Sequence, residues 1–219
     1  RMLTTAMLNA ADAYGLEHKD LDAERLTLRD GQVTGVIAGD ETFTAGKVII
    51  AGGAWSYRFS DQLGVDIPVK PQRGQIIHLD LPGVDTSNWC VVVAFHGHYI
   101  VPWGDSRVVV GATRELGVDF YPVTTAAGIL EVFEEALRVA PGLADAQFHE
   151  VRVGLRPHTS DGLPILGCVP GVSNLYLSTG HGASGLQLGP FSGKLAADWA
   201  LEKPSRVDIS AFHISRFNA

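Results

Sequence analysis

The sequence predicts an α/β fold, and three stretches support that class. Residues 48–51, VIIA, form a short apolar run that ends in Gly52 and Gly53. The stretch 174–190, NLYLSTGHGASGLQLGP, indicates a strand, a glycine turn and a helix. Asp30-Gly31 lies between two alternating segments and is a strong signal for a β-hairpin. Strands that run into glycine turns are typical of open α/β sheets, which bind ligands outside the carboxyl ends of their strands.

The first part of the chain contains one helix and four predicted strands. Leu3, Met7 and Ala10 recur at helical spacing, and Gly15 ends this surface helix. A short strand is predicted at 16–18, followed by the hairpin strands 25–29 and 32–38. The segment 47–51 has apolar neighbours on both sides and is expected to be a strand buried on both faces.

The second part begins with a predicted strand at 69–81. Two more strands, 99–102 and 107–111, flank the turn 103–106. Thr124 or Thr125 is expected to cap a helix that runs to about Val139 and covers the sheet. A strand at 147–155 then returns the chain to its first part, and a last helix starts near Gly185 and ends near Glu202.

The glycine turn of the last stretch is the strongest candidate for a binding site. Gly180, Gly182 and Gly185 have the spacing G-x-G-x-x-G, which lets a backbone turn sharply and approach a ligand. A dinucleotide-phosphate loop would need a second strand carrying an acidic residue, but Asp198 falls inside the following helix. We therefore expect this turn to face another electron-rich part of a ligand. The alternative is a glycine turn before a packing helix.

Composition limits the classes of function. The 219 residues carry a net charge of −7, which argues against a nucleic-acid partner. There is no run of about 18 apolar residues, so no membrane span is expected. Two cysteines are too few for a disulfide framework, and the pair His96 and His98 lacks a third metal ligand. No metal site is therefore expected. Because the cysteine usage fits a reducing compartment and no signal peptide precedes Arg1, we expect a cytoplasmic protein.

Six sequence blocks, in order, resemble one known family. They are VIIAGGAWS, PVKPQRGQIIHL, YIVPWGD, VVVGATRE, GLRPHTSDGLPILG and NLYLSTGHGASGLQLGP. The series is similar to the FAD-dependent D-amino-acid oxidase family, and within it to glycine oxidases and D-amino-acid dehydrogenases. The resemblance covers almost the whole chain.

The resemblance implies a partial FAD-binding (Rossmann-like) domain with an inserted mixed, mainly antiparallel β-sheet substrate domain. Family members open with a strand and glycine loop that hold the FAD pyrophosphate, and we expect this chain to correspond to the C-terminal portion after that segment. The FAD-side domain would comprise 1–64 and 148–219, and the substrate domain 65–147. Without the pyrophosphate loop, the chain alone is expected to bind FAD weakly.

Two glycine turns are implied to hold the flavin. The first contributes Gly52, Gly53 and Trp55. The second runs from 180 to 187 and contributes Gly180, His181, Gly182, Ala183, Ser184, Gly185, Leu186 and Gln187. Its N–H groups and helix start would lie near flavin N1 and the C2 carbonyl, where negative charge builds on reduction. His181 is either a flavin contact or a local cap, and Gly185 is expected to matter mainly for helix packing.

The resemblance implies two residues that contact substrate. Arg156 in the GLRP block would clamp a carboxylate through two parallel hydrogen bonds, unless it forms a structural ion pair with Glu150 or Asp161. Tyr99 would donate its hydroxyl to the same carboxylate, unless its ring only packs. Arg114 stands where several relatives carry an apolar pocket residue, which leaves the size and charge of the substrate open. Arg73 and Gln75 are family-like positions that could equally be solvated strand residues.

The function implied is the oxidation of glycine or another D-amino acid to the imino acid, by hydride transfer to flavin N5. Oxidation of a secondary amine such as sarcosine, or of a hydroxy acid, is the enzymatic alternative. A non-catalytic, substrate-binding portion is the alternative from another class. The partner is expected to be a small amino acid or amine, and a homo-oligomer is possible. The sequence specifies neither the substrate, nor the electron acceptor, nor the oligomeric state.

Overall fold

The computed structural model describes residues 2–217, which form three β-sheets and four α-helices. Sheet I contains three antiparallel strands, β1 (Arg25–Arg29), β2 (Gln32–Ala38) and β3 (Glu41–Thr44), in that order. Asp30 and Gly31 both have positive φ, 50° and 73°, as the two-residue hairpin turn between β1 and β2 requires. The predicted hairpin is confirmed.

Sheet II is mixed and contains β4 (Val48–Ile50), β10 (Ile165–Val169) and β11 (Val172–Thr179) in the order β10, β11, β4. β11 runs antiparallel to β10 and parallel to β4. Asn174 joins this sheet to Sheet I, because its amide donates to the carbonyl of Val33 (2.6 Å) and accepts from the Val33 N–H (2.8 Å). A common apolar core, which includes Leu26, Ile50 and Leu177, therefore packs between the two sheets.

Sheet III has five antiparallel strands in the order β6, β7, β8, β5, β9. They are β5 (Lys70–Asp80), β6 (Val92–Val93), β7 (Tyr99–Gly104), β8 (Arg107–Gly111) and β9 (Gln147–His158). Its core is separate from the first and lies between Ile77, Leu79 and Val110 of the sheet and the helix that covers it.

The four helices are α1 (Met2–Ala13), α2 (Ser60–Leu63), α3 (Ala126–Val139) and α4 (Gly185–Ala200). Thr125 caps α3 as predicted, since its side chain accepts a hydrogen bond from the Gly128 N–H (3.2 Å). Val132 and Ala136 of α3 are buried against Sheet III. No helix within residues 2–217 is long and apolar enough to cross a membrane.

Two local predictions are wrong. Residues 16–18 form no strand, because this exposed segment pairs with no neighbour among the described residues. The segment 47–51 gives only the three-residue β4, and Ile49 is 38% exposed, so the strand is not buried on both faces. Ile50, which points to the opposite face, is buried, so the described residues cover only one face of β4.

The predicted division into 1–64 with 148–219 and 65–147 stays a prediction. Strand pairing adds that β9 is hydrogen-bonded to β5 along its length, from Gln147 opposite Asp80 to His158 opposite Lys70. One continuous ribbon therefore carries the chain from the far end of Sheet III back toward Sheet II.

Candidate active site

The carboxyl ends of β4 and β11 lie side by side because these strands are parallel neighbours. The hydroxyl of Thr179, the last residue of β11, donates to the carbonyl of Gly53 (2.9 Å). Ser56 in turn donates to the Thr179 hydroxyl (2.9 Å), and both side chains are buried. These bonds hold the first predicted flavin turn, with Gly52 and Gly53, against the start of the second. The structure thus brings the two turns together.

The glycines of the second turn have different surroundings. Gly180 and Gly182 have φ of +74° and +53°, in the left-handed region that favours glycine. A Cβ at Gly180 would lie 2.8 Å from Cγ2 of Thr159, whereas a Cβ at Gly182 would meet only the Pro157 carbonyl, at 4.0 Å. Gly180 is therefore fixed by packing, and open space lies in front of Gly182.

Gly185 does not play the packing role expected of it. A Cβ there would lie 3.6 Å from Cβ of His181, an ordinary contact, and the residue has helical φ of −58°.

Nε2 of the His181 imidazole lies 2.9 Å from the hydroxyl of Ser192 in the third turn of α4. Burial lowers the pKa of His181, which favours the neutral ring. His181 thus contacts α4 through Ser192 and makes no capping hydrogen bond, and its contact with flavin stays a prediction.

The N-terminus of α4 carries no side-chain cap. Neither the preceding 3₁₀ turn, Gly182–Ser184, nor α4 itself receives a capping hydrogen bond from its N-cap side chain. Ala183, Ser184, Leu186 and Gln187 are exposed around this end. The first N–H groups of a helix carry partial positive charge, so this terminus can receive an electron-rich group.

Trp55 lies beside the first turn and is 40% exposed. Its ring centroid is 5.5 Å from that of Phe120, which also stacks on Tyr57 at 5.0 Å. Phe120 belongs to the segment between β8 and α3, so these aromatic contacts join the first turn to Sheet III.

Arg156 lies near the end of β9, on the face of Sheet III that it shares with Gln72. Its Nη1 donates to the carbonyl oxygen of Thr113 (2.9 Å) and, more weakly, to Oε1 of Gln72 (3.5 Å). Its guanidinium lies directly over Gly74, where a Cβ would collide with it. A cavity of about 320 Å³ opens beside it, lined by Gly74, Ile76, Arg152, Val153, Gly154, Leu155 and Arg156.

The ion pairs considered for Arg156 do not form. Glu150 pairs with Arg152, and Asp161 pairs with Arg216 (2.6 Å). Within residues 2–217, no carboxylate lies within 4.0 Å of the Arg156 guanidinium. A half-buried cation whose neighbours are a carbonyl and an amide can still bind a carboxylate through its free N–H groups.

Tyr99 and Arg114 lie on the same face as Arg156. Tyr99 starts β7 opposite Gly111, which is opposite Ile76 of β5, and directly paired residues share a face. Burial lowers the pKa of Arg156; the nearby Tyr99 phenol favours the charged guanidinium and Arg114 opposes it. The two predicted substrate residues, Arg156 and Tyr99, are therefore neighbours on one surface.

Arg73 and Gln75 are not solvated strand residues. Arg73 forms a salt bridge with Glu115, and Gln75 is fully buried. The Gln75 amide donates to Glu115 (2.7 Å) and to the Thr125 hydroxyl (2.9 Å), and accepts from the Thr125 N–H (2.9 Å). These residues fix the start of α3 on the face of Sheet III opposite Arg156.

Gly74 was the residue that sequence reasoning missed. A glycine inside a strand pattern marks a close backbone approach or a bulge, and Gly74 stands in the middle of β5. That signal was available and predicts the space that the guanidinium of Arg156 occupies. The acceptor at Thr113 could not be found in this way, because a backbone carbonyl has no sequence signature.

The histidine pair forms no metal site. His96 contacts Glu135 and His98 contacts Glu131, each at 3.2 Å, and both acids lie on α3. Across the described part of the chain, no group of three or more histidine, cysteine or acidic side chains is arranged to hold a metal ion.

The fold and this site define an α/β protein with a half-buried arginine beside a cavity and two adjacent glycine turns at the ends of parallel strands. Residues 1–199 match the DAO family, described as FAD dependent oxidoreductase. The chain belongs to this family, and the predicted resemblance, the fold class and FAD as the family's cofactor are confirmed.

Relatives and solved structures agree. Over 214 residues the chain is 41% identical to "Uncharacterized oxidoreductase YurR" of Bacillus subtilis (strain 168), covering 97% of this chain and 57% of YurR. The crystal structure of iminodiacetate oxidase (IdaA) from Chelativorans sp. BNC1 superposes with a TM-score of 0.93 at 43% identity, covering 97% of this chain and 57% of that one. Glycine oxidase from Geobacillus kaustophilus gives a TM-score of 0.85 at 30% identity, covering 94% and 55%. The chain thus spans a little over half the length of these proteins.

The residues present fit FAD. Open space lies in front of Gly182, and a Cβ at Gly53, whose φ is +53°, would meet nothing within 4 Å. Both backbones therefore permit close approach of a flat ring, next to the uncapped end of α4.

Proposed function

We propose that this protein oxidises a small amine or amino acid that carries a carboxylate, with FAD as the electron acceptor. The observation that carries the proposal is Arg156, a half-buried guanidinium that has no carboxylate partner among residues 2–217 and lies beside a cavity of about 320 Å³. Such a group binds a substrate carboxylate in a fixed, bidentate orientation.

Positioning is the task of the protein groups. Thr113 and Gln72 hold one edge of the Arg156 guanidinium, which leaves its other N–H groups for the substrate. Tyr99 can add a hydrogen bond from β7 to the same carboxylate. A carboxylate fixed in this way orients the adjacent Cα, and orientation alone supplies a large part of the rate.

The cofactor residues are proposed to be the two glycine turns. FAD, when bound, supplies an acceptor for a hydride at its N5 atom. The uncapped N-terminus of α4 would stabilise negative charge by about 0.3–1 kcal/mol if exposed and about 2 kcal/mol if partly buried. Oxidation takes a hydride from Cα and a proton from the amine, and water then hydrolyses the resulting C=N bond.

Two relatives bear on the substrate through their names, glycine oxidase and iminodiacetate oxidase. Both glycine and iminodiacetate contain an amine next to a CH₂ group and a carboxylate, the unit that Arg156 is proposed to orient. A glycine or D-amino-acid substrate and a secondary-amine substrate therefore both belong to the proposal.

Cys90 and Cys168 are free, which supports a reducing, cytoplasmic location.

A substrate screen on the full-length, FAD-loaded enzyme tests the proposal. Glycine, D-alanine, sarcosine, iminodiacetate and glycolate are each added without oxygen, and the flavin absorbance is followed. We expect bleaching by at least one amine. Bleaching by glycolate alone would favour hydroxy-acid oxidation, and no bleaching by any of them would overturn the proposal.

A further inference from the structure

Arg114 extends the charged surface around Arg156. Residues 112–115 continue β8 alongside β5, since the Arg73 and Glu115 backbones exchange hydrogen bonds of 2.9 and 3.0 Å. Thr113 and Glu115 bond to Gln75 on the face covered by α3. Side chains alternate along a strand, so Arg114 lies on the opposite face, with Arg156.

These two arginines differ from the others on Sheet III. Arg73, Arg107 and Arg152 each form a salt bridge, with Glu115, Asp80 and Glu150 respectively. Within residues 2–217, neither Arg114 nor Arg156 has a carboxylate within the 4.0 Å that defines such a pair. Two uncompensated positive charges on one surface repel each other. The charge of Arg114 accordingly lowers the pKa of Arg156. Anionic groups placed between them would remove this cost.

The two arginines come from strands on either side of β5. β9, which carries Arg156, and the extension of β8, which carries Arg114, lie on either side of β5, roughly 10 Å apart at two strand spacings. Gly74 of β5 carries no side chain, and the guanidinium of Arg156 reaches across it to the Thr113 carbonyl, next to Arg114 in sequence. Nη2 of Arg114 lies 3.5 Å from the carbonyl of Gly97, two residues before Tyr99, so the guanidinium is held near the start of β7.

We infer that Arg114 binds a second carboxylate of the substrate, so that the substrate class is an amine with two carboxylates. The inference rests on the proposed function, because it takes Arg156 as the site of the first carboxylate. Two kinds of compound have this chemistry: N-carboxymethyl amines such as iminodiacetate, and acidic amino acids such as D-aspartate. Arg114 then acts as a specificity-determining residue, while Arg156 orients Cα.

Equilibrium binding tests the second carboxylate without turnover. Glutarate has the shape of iminodiacetate with CH₂ in place of the amine, and butyrate lacks one of its carboxylates. Calorimetric titration of the FAD-loaded enzyme should give about tenfold tighter binding of glutarate, as expected for one added charge-assisted hydrogen bond at a partly exposed site. Arg114→Leu should abolish this preference and Arg114→Lys should keep part of it.

Arg107→Leu is the matched control, because Arg107 lies on the same strand but is paired with Asp80. It should leave the glutarate-to-butyrate ratio unchanged. Equal binding of the two acids to the wild-type enzyme, or a preference that survives in Arg114→Leu, would overturn the inference. Equal weakening of both acids by Arg114→Leu would also overturn it, because the two arginines would then share one carboxylate.

Turnover distinguishes the two kinds of substrate. The ratio of kcat/KM for iminodiacetate to that for sarcosine, and for D-aspartate to that for D-alanine, isolates the second carboxylate in each class. We expect one ratio to exceed about ten in the wild-type enzyme and to fall to about one in Arg114→Leu. Amine oxidation that favours the monocarboxylates would overturn the inference and leave the proposed function intact. Arg114-dependent glutarate binding without any amine oxidation would support binding of a second carboxylate and overturn the proposed function.

Discussion

Gly180 and Gly182 can each be glycine for one of two reasons, tight packing within the protein or close approach of a ligand. Alanine substitutions at the two positions distinguish these reasons. Both residues have positive φ, so an alanine costs about 1 kcal/mol of folding free energy at either position. At Gly180 the new Cβ would also lie 2.8 Å from Cγ2 of Thr159 and 3.3 Å from the backbone nitrogen of Ile165. Because that nitrogen belongs to a strand of Sheet II, it cannot move freely, and overpacking adds about 2 kcal/mol.

We therefore expect Gly180→Ala to lower the free energy of unfolding by about 3 kcal/mol and Gly182→Ala by about 1 kcal/mol. For a chain of this size, 1 kcal/mol lowers Tm by about 3 °C, so the two variants should differ by about 6 °C. The measurement is thermal unfolding of the FAD-free protein, in which cofactor binding does not contribute. Equal losses at the two positions would refute the reasoning from packing.

FAD content should depend more on Gly182 than on Gly180, although a substitution at Gly182 costs less stability. If the flavin lies against the open face of Gly182, a side chain there displaces it although the protein remains folded. Gly182→Val should then lower FAD content and make the reduction potential more negative, because the reduced flavin carries more negative charge near the N-terminus of α4. Normal FAD content with an unchanged potential would remove the turn 180–187 from the flavin site.

Three further changes test the substrate clamp and the supports of the fold. Arg156→Lys loses bidentate geometry, so KM for the amine substrate should rise at least tenfold in steady-state kinetics while FAD content is unchanged. Thr125→Ala removes the cap of α3 and should cost about 1 kcal/mol in chemical denaturation; no loss would show that the Gln75 amide suffices. The salt bridge with Arg216 lowers the pKa of Asp161 to about 2, below its usual 3.8, so Asp161 stabilises the fold when ionised. The free energy of unfolding of wild type should exceed that of Asp161→Asn by about 1 kcal/mol above pH 4. This difference should shrink as pH falls through about 2 and vanish below it; a constant difference across this range would contradict the assignment.

The sequence predicted features that depend on local chemistry. Asp30-Gly31 specifies its hairpin turn and Thr125 specifies a helix start, because each acts on backbone groups within a few residues. The turn at Gly180 was predictable for the same reason. Burial of a strand is a property of its neighbours, and for this reason the expectation for 47–51 was wrong at Ile49.

The candidate site was predictable only in part, because its partners come from distant segments. The glycine turns and the strand-end arginine have sequence patterns, and the structure places them in adjacent elements. The network of Gln75 with Glu115 and Thr125 joins residues 40 and 50 positions apart, and nothing in the sequence pairs them. A solvated role for Gln75 was therefore as reasonable as the buried one that the structure has.

The absence of a side chain at Gly74 makes the proposed arginine clamp dependent on a residue that carries no charge and has no side chain to bind substrate. A methyl group there would meet the guanidinium of Arg156 and turn it away from its Thr113 acceptor, although both would still be present in the sequence. Retention of the arginine in a related protein is thus insufficient evidence that the clamp works. The glycine beneath it is the better diagnostic, and it offers a way to redirect substrate choice without altering the charge of the pocket.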